Sequence, residues 1–164
     1  MNRLHIGCGT NYLEGWTNID IDKEVKADWY GDACAMPNGL EDSLVQWAIT
    51  EEERIKLDID WTNRFDHIYS HHSLEHFTDL FQIVHELVRV SKNNATWEHT
   101  VPIWSWGQNQ GNPYHHIYFS PETFRFFDKV NGIYKRGQKQ DYSLEEISTV
   151  FNEQEITFKL RVHK

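Results

Sequence analysis

The sequence predicts an α/β fold: a mostly parallel sheet with an antiparallel C-terminal hairpin, in three layers. Two observations carry this. From Leu4 to Ile103, short apolar or alternating runs bounded by turn residues are interleaved with stretches of helical spacing, and strands alternating with helices build parallel sheets. Toward the C-terminus two alternating runs follow each other with only Asn152-Glu153 between them, which is the pattern of a hairpin. There is no internal repeat and no low-complexity segment, and 164 residues is most simply one domain, spanning 1–164.

Leu4 to Ile6 is apolar and is broken by Gly7 and Gly9. Trp16 to Asp22 alternates, with Thr17, Ile19 and Ile21 on one side and Asn18, Asp20 and Asp22 on the other, as in a strand. Thr10 to Trp16 leaves room for a helical turn or two. Ala27 to Tyr30 reads as a third strand ending at Gly31-Asp32, and Pro37-Asn38-Gly39 as a turn. Glu41 to Leu57 reads as helical in two pieces, the second opened by the capping-box pattern Thr50-Glu51-Glu52-Glu53.

Phe65 to Ser70 is the next strand. Leu74, Phe77, Leu80, Phe81, Val84, Leu87 and Val88 then recur at helical spacing, and that helix stops near Lys92-Asn93-Asn94. Ala95 to Ile103 is a strand interrupted by Pro102, and Gly107 to Pro113 is a polar loop. Ser120-Pro121-Glu122 predicts a helix start, with serine as cap, proline at the first position and an acid near the positive dipole end. Ile147, Thr149 and Phe151, then Ile156, Phe158, Leu160 and Val162, form the hairpin.

Composition narrows the function. A hydrophobic content of 39% and an aromatic content of 14% indicate a globular chain. The aromatic residues fit either a small core of large side chains or an aromatic-lined substrate pocket. A net charge of −9 repels a phosphate backbone, so nucleic acid is not an expected partner. No apolar run approaches the roughly 20 residues that span a bilayer, so no membrane partner is expected either. The first strand begins almost at Met1, so no signal peptide is expected, and Cys8 and Cys34 are too few for a disulfide framework. A reducing cytoplasm is the expected compartment.

The most informative stretch is LHIGCGTNYLEGWTNIDID at 4–22. In an open α/β sheet, ligands sit beyond the carboxyl ends of the strands. Gly7 and Gly9 fall at such an end, where the missing Cβ lets backbone approach a ligand. Asp20 falls at the end of the second strand, where a carboxylate can accept from both hydroxyls of a ribose. Asp32 ends the third, within reach of an adenine amino group. The third glycine of the dinucleotide fingerprint is absent and the glycine-to-acid spacing is shorter than the roughly 20 residues of that pattern, which argues against a pyrophosphate-binding site.

The combination resembles the class I S-adenosylmethionine-dependent methyltransferases, in particular small members of the methyltransferase type 11 kind. LHIGCG, GWTNID, GDACAMP, FDHIYSHHSLEHF, the TVP at 100–102 and NPYHHIYFSPETFRFF carry the resemblance. It implies a Rossmann-like fold and S-adenosylmethionine as cofactor. It also implies that Gly7, Cys8 and Gly9 face the methionine part, that Asp20 holds the ribose, that Asp32 and the Ala33 backbone hold the adenine, and that Ser70 and His71 line the other side. Asn11 and Ile21 complete the expected cofactor set. The expected reaction is methyl transfer to a small-molecule or glycan acceptor, and a binding module without catalysis is the alternative. Against the family pattern, the first helix is shortened and the link from Asn38 to Arg64 is long.

Two histidine groups remain. His72-Ser73-Leu74-Glu75-His76 matches the H-x-x-E-H of inverted zinc proteases, which would place His72 and His76 one helical turn apart on a metal. The same residues also read as a ligand loop between strand and helix, which is the reading adopted, and no metal is expected. His115-His116 follows the fifth strand. For a hydroxyl acceptor a general base is required; His115 is the candidate and His76 the second. The 38–64 segment and the loop with Trp104 and Trp106 are either an acceptor wall or ordinary packing. Acceptor identity and oligomeric state are not legible.

Overall fold

The computed structural model describes residues 1–37, 60–129 and 140–164. Seven strands form one sheet: β1 (Arg3–Ile6), β2 (Thr17–Asp20), β3 (Trp29–Tyr30), β4 (Phe65–His71), β5 (Ser91–Pro102), β6 (Ser143–Phe151) and β7 (Glu155–His163). Their order is β3-β2-β1-β4-β5-β7-β6. β1 to β5 run parallel, and β7 is antiparallel to both β5 and β6. The parallel sheet with an antiparallel C-terminal hairpin is thus the architecture expected from the sequence.

The register explains which face is apolar. Leu4, Ile68, Trp97 and Leu160 lie in one row across the sheet, and Ile6, Ser70, His99 and Phe158 lie two residues further on. These rows share a face, because side chains alternate along a strand. Helix α1 (Leu80–Val90) packs there through Ile83, Val84, Leu87, Val88 and Val90. The 3-10 turn Thr123–Phe127 packs beside it, with Phe124 4.8 Å from Phe158 and Phe127 5.1 Å from Phe81. The intervening row, His5, Tyr69, Glu98 and Lys159, faces the other way and is polar. Trp16 lies edge-on over His67 and Tyr69 on that side. All helical elements packed on the strands among the described residues lie on the first face, so the second helical layer of the three-layer expectation is not among them.

Several local expectations change. No helix links β1 to β2. Asn18, fully buried, takes over the work of satisfying that loop: its Oδ1 accepts from Leu13 N, and its Nδ2 donates to Leu13 O, Trp16 O and Asp28 Oδ2. The third strand shrinks to two residues. α1 begins at Leu80 rather than Leu74, because Asp79 caps it by accepting from Phe81 N and Gln82 N; Leu74–His76 is a separate 3-10 turn. β5 follows α1 directly from Ser91. The helix expected at Ser120 is only the 3-10 turn, and Ser120 does not cap it; its N–H instead donates to Thr123 Oγ1. The loop after β5 contains a short helix α2 (Gly107–Gly111). The hairpin turn is held by Asn152, whose Oδ1 accepts from Gln154 N and Glu155 N. The helical reading of Glu41 to Leu57, with its capping box, lies outside the described residues. Among the described residues no helix is long and apolar enough to cross a membrane.

Candidate functional site

The carboxyl ends of the parallel strands carry two polar clusters. At the tips of β1 to β3, Gly7 and Gly9 both adopt left-handed backbone, with φ of +60° and +49°. They do so for different reasons. A Cβ on Gly7 would sit 2.7 Å from the Cβ of Ser73, so the turn after β4 closes on this glycine. A Cβ on Gly9 would meet nothing within 4 Å. Gly9 therefore faces open space, which a ligand backing onto the loop can fill. Its N–H donates to Asp20 Oδ2 at 2.7 Å, and Asp22 N donates to Oδ1 at 2.9 Å. Each carboxylate oxygen has a second acceptor site left for a hydroxyl.

Next to Asp20, Ile21 is 74% exposed at the strand end, an apolar surface suited to one face of a flat ring. Asp32 is exposed and accepts from Cys34 N, which holds the short turn around the buried Ala33. Asn11 is exposed in the glycine loop. Cys8 and Ser70 behave otherwise. Cys8 is buried, its thiol pushed up to about 11 by burial, and its N–H is tied to Ile19 O. Ser70 has no exposed surface, and its hydroxyl is paired with His99 Nδ1 at 2.8 Å. Neither side chain faces a ligand in this structure, whereas His71 is exposed beside them. His99 is fully buried, and burial pushes its pKa down to about 3.

The second cluster lies past β4 and β5. Glu75 and Leu74 are buried in the 3-10 turn, and the Glu75 carbonyl accepts from His116 N and Ile117 N. Those two bonds bring the 112–117 loop onto the turn, so His76 and His115 meet with ring centroids 4.8 Å apart. His76 Nδ1 donates to Tyr114 O, so in the neutral ring the lone pair is on Nε2. Asn109 donates from Nδ2 to Pro102 O and Ile103 O, so its Oδ1 accepts from His115 Nδ1 at 2.6 Å. Asn112 accepts Tyr114 N with Oδ1 and donates from Nδ2 to His115 Nε2 at 2.9 Å. His115 is thus a neutral ring with both nitrogens engaged, and burial lowers its pKa further. Asn109 and Asn112, which fix it, carry no signal in the sequence beyond belonging to a polar loop.

Glu75 is the anomaly of this cluster. Its side chain is 1% exposed, yet neither oxygen has a hydrogen bond. Leaving a buried polar group unpaired costs about 1–3 kcal/mol, and more for a charge. His72 Nδ1 approaches Oε1 only to 3.4 Å and His76 Nε2 only to 4.0 Å.

The H-x-x-E-H segment does not form the helix that its zinc reading requires. His72 sits at φ +51° before the 3-10 turn, and its Nε2 pairs with Glu155 Oε1 at 2.7 Å. The two carboxylates, Glu75 first, raise its pKa to about 9. Trp104 is half-exposed, and Trp106 packs against the core.

Comparison with known proteins shows the family of the chain. A family model described as a methyltransferase domain matches residues 4–97, more than half of the chain. Among solved structures, a SAM-dependent methyltransferase from Archaeoglobus fulgidus is similar at 15% identity and TM-score 0.59, over 98% of this chain and 86% of that one. One from Aquifex aeolicus is similar at 13% identity and TM-score 0.59, over 98% and 81%. The N-methyltransferase NodS from Bradyrhizobium japonicum WM9 matches at 13% identity and TM-score 0.56, over 99% and 86%. No curated protein sequence matches. The open space before Gly9, the carboxylates of Asp20 and Asp32 and the bare face of Ile21 fit an adenosyl group carrying an amino-acid tail. The chain belongs to the methyltransferase-domain family, and it has the Rossmann-like fold of the SAM-dependent methyltransferases it is similar to.

Proposed function

We propose that the protein transfers the methyl group of S-adenosylmethionine to a small-molecule or glycan acceptor. The observation that carries this reading is the row Gly9, Asp20, Ile21 and Asp32 across the tips of β1, β2 and β3. Asp20 accepts the ribose hydroxyls, Ile21 supports one face of the adenine, and Asp32 with the Ala33 backbone takes its polar edge. Gly7 and Cys8 contribute backbone shape, Gly9 leaves room for the amino-acid tail, and Asn11 and His71 border it. The cofactor supplies an already activated sulfonium methyl group, so the protein's main task is to align an acceptor behind it.

The acceptor side is assigned to His76, His115 and the half-exposed Trp104. Sequence alone suggested His115 as a general base. Its two engaged nitrogens support a positioning role instead, with the ring fixed by Asn109 and Asn112. The same observation favours the second reading, a module that binds the cofactor without turning it over. The experiment that separates them is a panel of hydroxyl, amine and sugar acceptors with labelled S-adenosylmethionine. Label transferred to any acceptor supports the enzyme. Tight cofactor binding with no transfer across the panel supports the binding module.

A further inference from the structure

We infer that Glu75, His76 and His115 form a binding site for a divalent transition-metal ion, held by one carboxylate and two imidazoles. One ligand atom from each residue lies within 4.8 Å of the others. Three features set this group apart from a chance cluster. The Glu75 carboxylate is buried and without hydrogen bonds, and His72 Nδ1 and His76 Nε2 stop at 3.4 and 4.0 Å from its Oε1. A bound cation would satisfy a carboxylate left in this way. His76 donates from Nδ1 to a backbone carbonyl, and His115 donates from Nδ1 to a side-chain amide that is itself anchored. Ligating histidines are held in this way, the second nitrogen fixing the tautomer and aiming the first at the metal. Two histidines and one carboxylate with free positions form a donor set that first-row divalent ions accept.

Binding requires one local change: Asn112 Nδ2, which now donates to His115 Nε2, gives up that nitrogen to the ion. The proposal departs from the sequence expectation that no metal is held. The ligands also differ from the H-x-x-E-H pair, because His72 engages both nitrogens with carboxylates, Nε2 with Glu155 at 2.7 Å and Nδ1 with Glu75 at 3.4 Å. A ligated imidazole has no lone pair for a proton, so the site replaces the general-base role for His115. The inference stands on these residues alone and does not depend on methyl transfer.

The test uses the full chain, stripped with a chelator and then titrated with Zn2+ by calorimetry and with Co2+ by absorption. We expect about one equivalent of Zn2+, and a weak Co2+ d–d spectrum without a thiolate charge-transfer band. Glu75→Gln and His76→Ala should each weaken Zn2+ binding about 10-fold or more, while His72→Ala changes it by less than a few-fold. Circular dichroism and S-adenosylhomocysteine binding report whether each variant is folded and keeps its cofactor site. No Zn2+ binding up to millimolar concentration in the folded wild type overturns the inference. So does a thiolate band, which would place the ion on Cys8 or Cys34. Binding that survives Glu75→Gln but is lost in His72→Ala overturns it in favour of His71, His72 and Glu155, the other group of potential ligands.

Discussion

The two polar clusters at the carboxyl edge of the sheet are built on opposite principles. Around the glycine loop the two central side chains are paired within the protein: Asn18 spends its amide on the loop backbone, and Asp20 accepts two N–H groups while keeping acceptor capacity toward the open side. Around Glu75 two imidazoles are carefully oriented, yet neither oxygen of the buried carboxylate has a hydrogen bond, and His72 Nδ1 stops at 3.4 Å. A site whose internal bonds are complete is pre-shaped for its ligand, and binding does not have to repair it. A site whose buried carboxylate makes no hydrogen bond is completed by something that arrives from outside.

The sharpest way to break the description of the first cluster is Gly7→Ala. It adds a methyl group against Ser73 at a left-handed residue. Overpacking and the backbone penalty together should cost about 3 kcal/mol or more, read as a large fall in the urea midpoint. A change under about 1 kcal/mol would mean that the Ser73 turn yields freely.

Acid stability tests the core beneath both clusters. The folded pKa of His99 lies at about 3, below the ordinary 6.5. An unfolded chain therefore binds a proton there that the folded one refuses. The stabilising contribution is present above pH 6.5 and is lost as pH falls from 6.5 toward 3, at up to about 1.4 kcal/mol per pH unit for one proton. His99→Gln should flatten that slope. His5 and His67, also lowered chiefly by burial, leave a remainder. An unchanged slope in His99→Gln would show that His99 does not control it.

Asn18→Ala should cost about 2–3 kcal/mol by orphaning Leu13 N–H and its neighbours, with a loss of protease resistance concentrated at residues 11–16. Uniform sensitivity along the chain would contradict the local role given to Asn18. Gly9→Ala is the smallest effect on the fold, about 1 kcal/mol from its positive φ alone. It should nevertheless weaken cofactor binding, because its methyl group enters the open side. The pair Gly7 and Gly9 thus separates a glycine required by packing from one required by a ligand.

This contrast also explains what the sequence disclosed. Gly9, Asp20, Ile21 and Asp32 lie within 24 residues, and each sits at the end of a run whose periodicity is visible. The strands and the hairpin were legible for the same reason, since alternation survives wherever one face is buried. Asn18 was hidden by that very alternation, which places it beside Asp20 on the polar side although it is fully buried. Ser70 and Cys8 fall within the expected motif, but their side chains turn into the core, a choice made by sheet register rather than by local pattern. Glu75, His76 and His115 come together only because His116 N and Ile117 N bond back to Glu75 O. That contact spans about 40 residues, and no local signal announces it. The start of α1 was placed too early because Leu74 and Phe77 continue its spacing, whereas the cap is Asp79.

The measurement that bears most directly on the cofactor site is calorimetric titration of S-adenosylhomocysteine into wild type and Asp20→Ala. The account predicts a single site in the wild type. It also predicts a loss of about 1–3 kcal/mol in the variant, roughly 5- to 150-fold in affinity, from unpairing the ribose hydroxyls, with the variant's thermal unfolding remaining cooperative. Absence of binding by folded wild type at millimolar ligand, or equal affinity in Asp20→Ala, would contradict it.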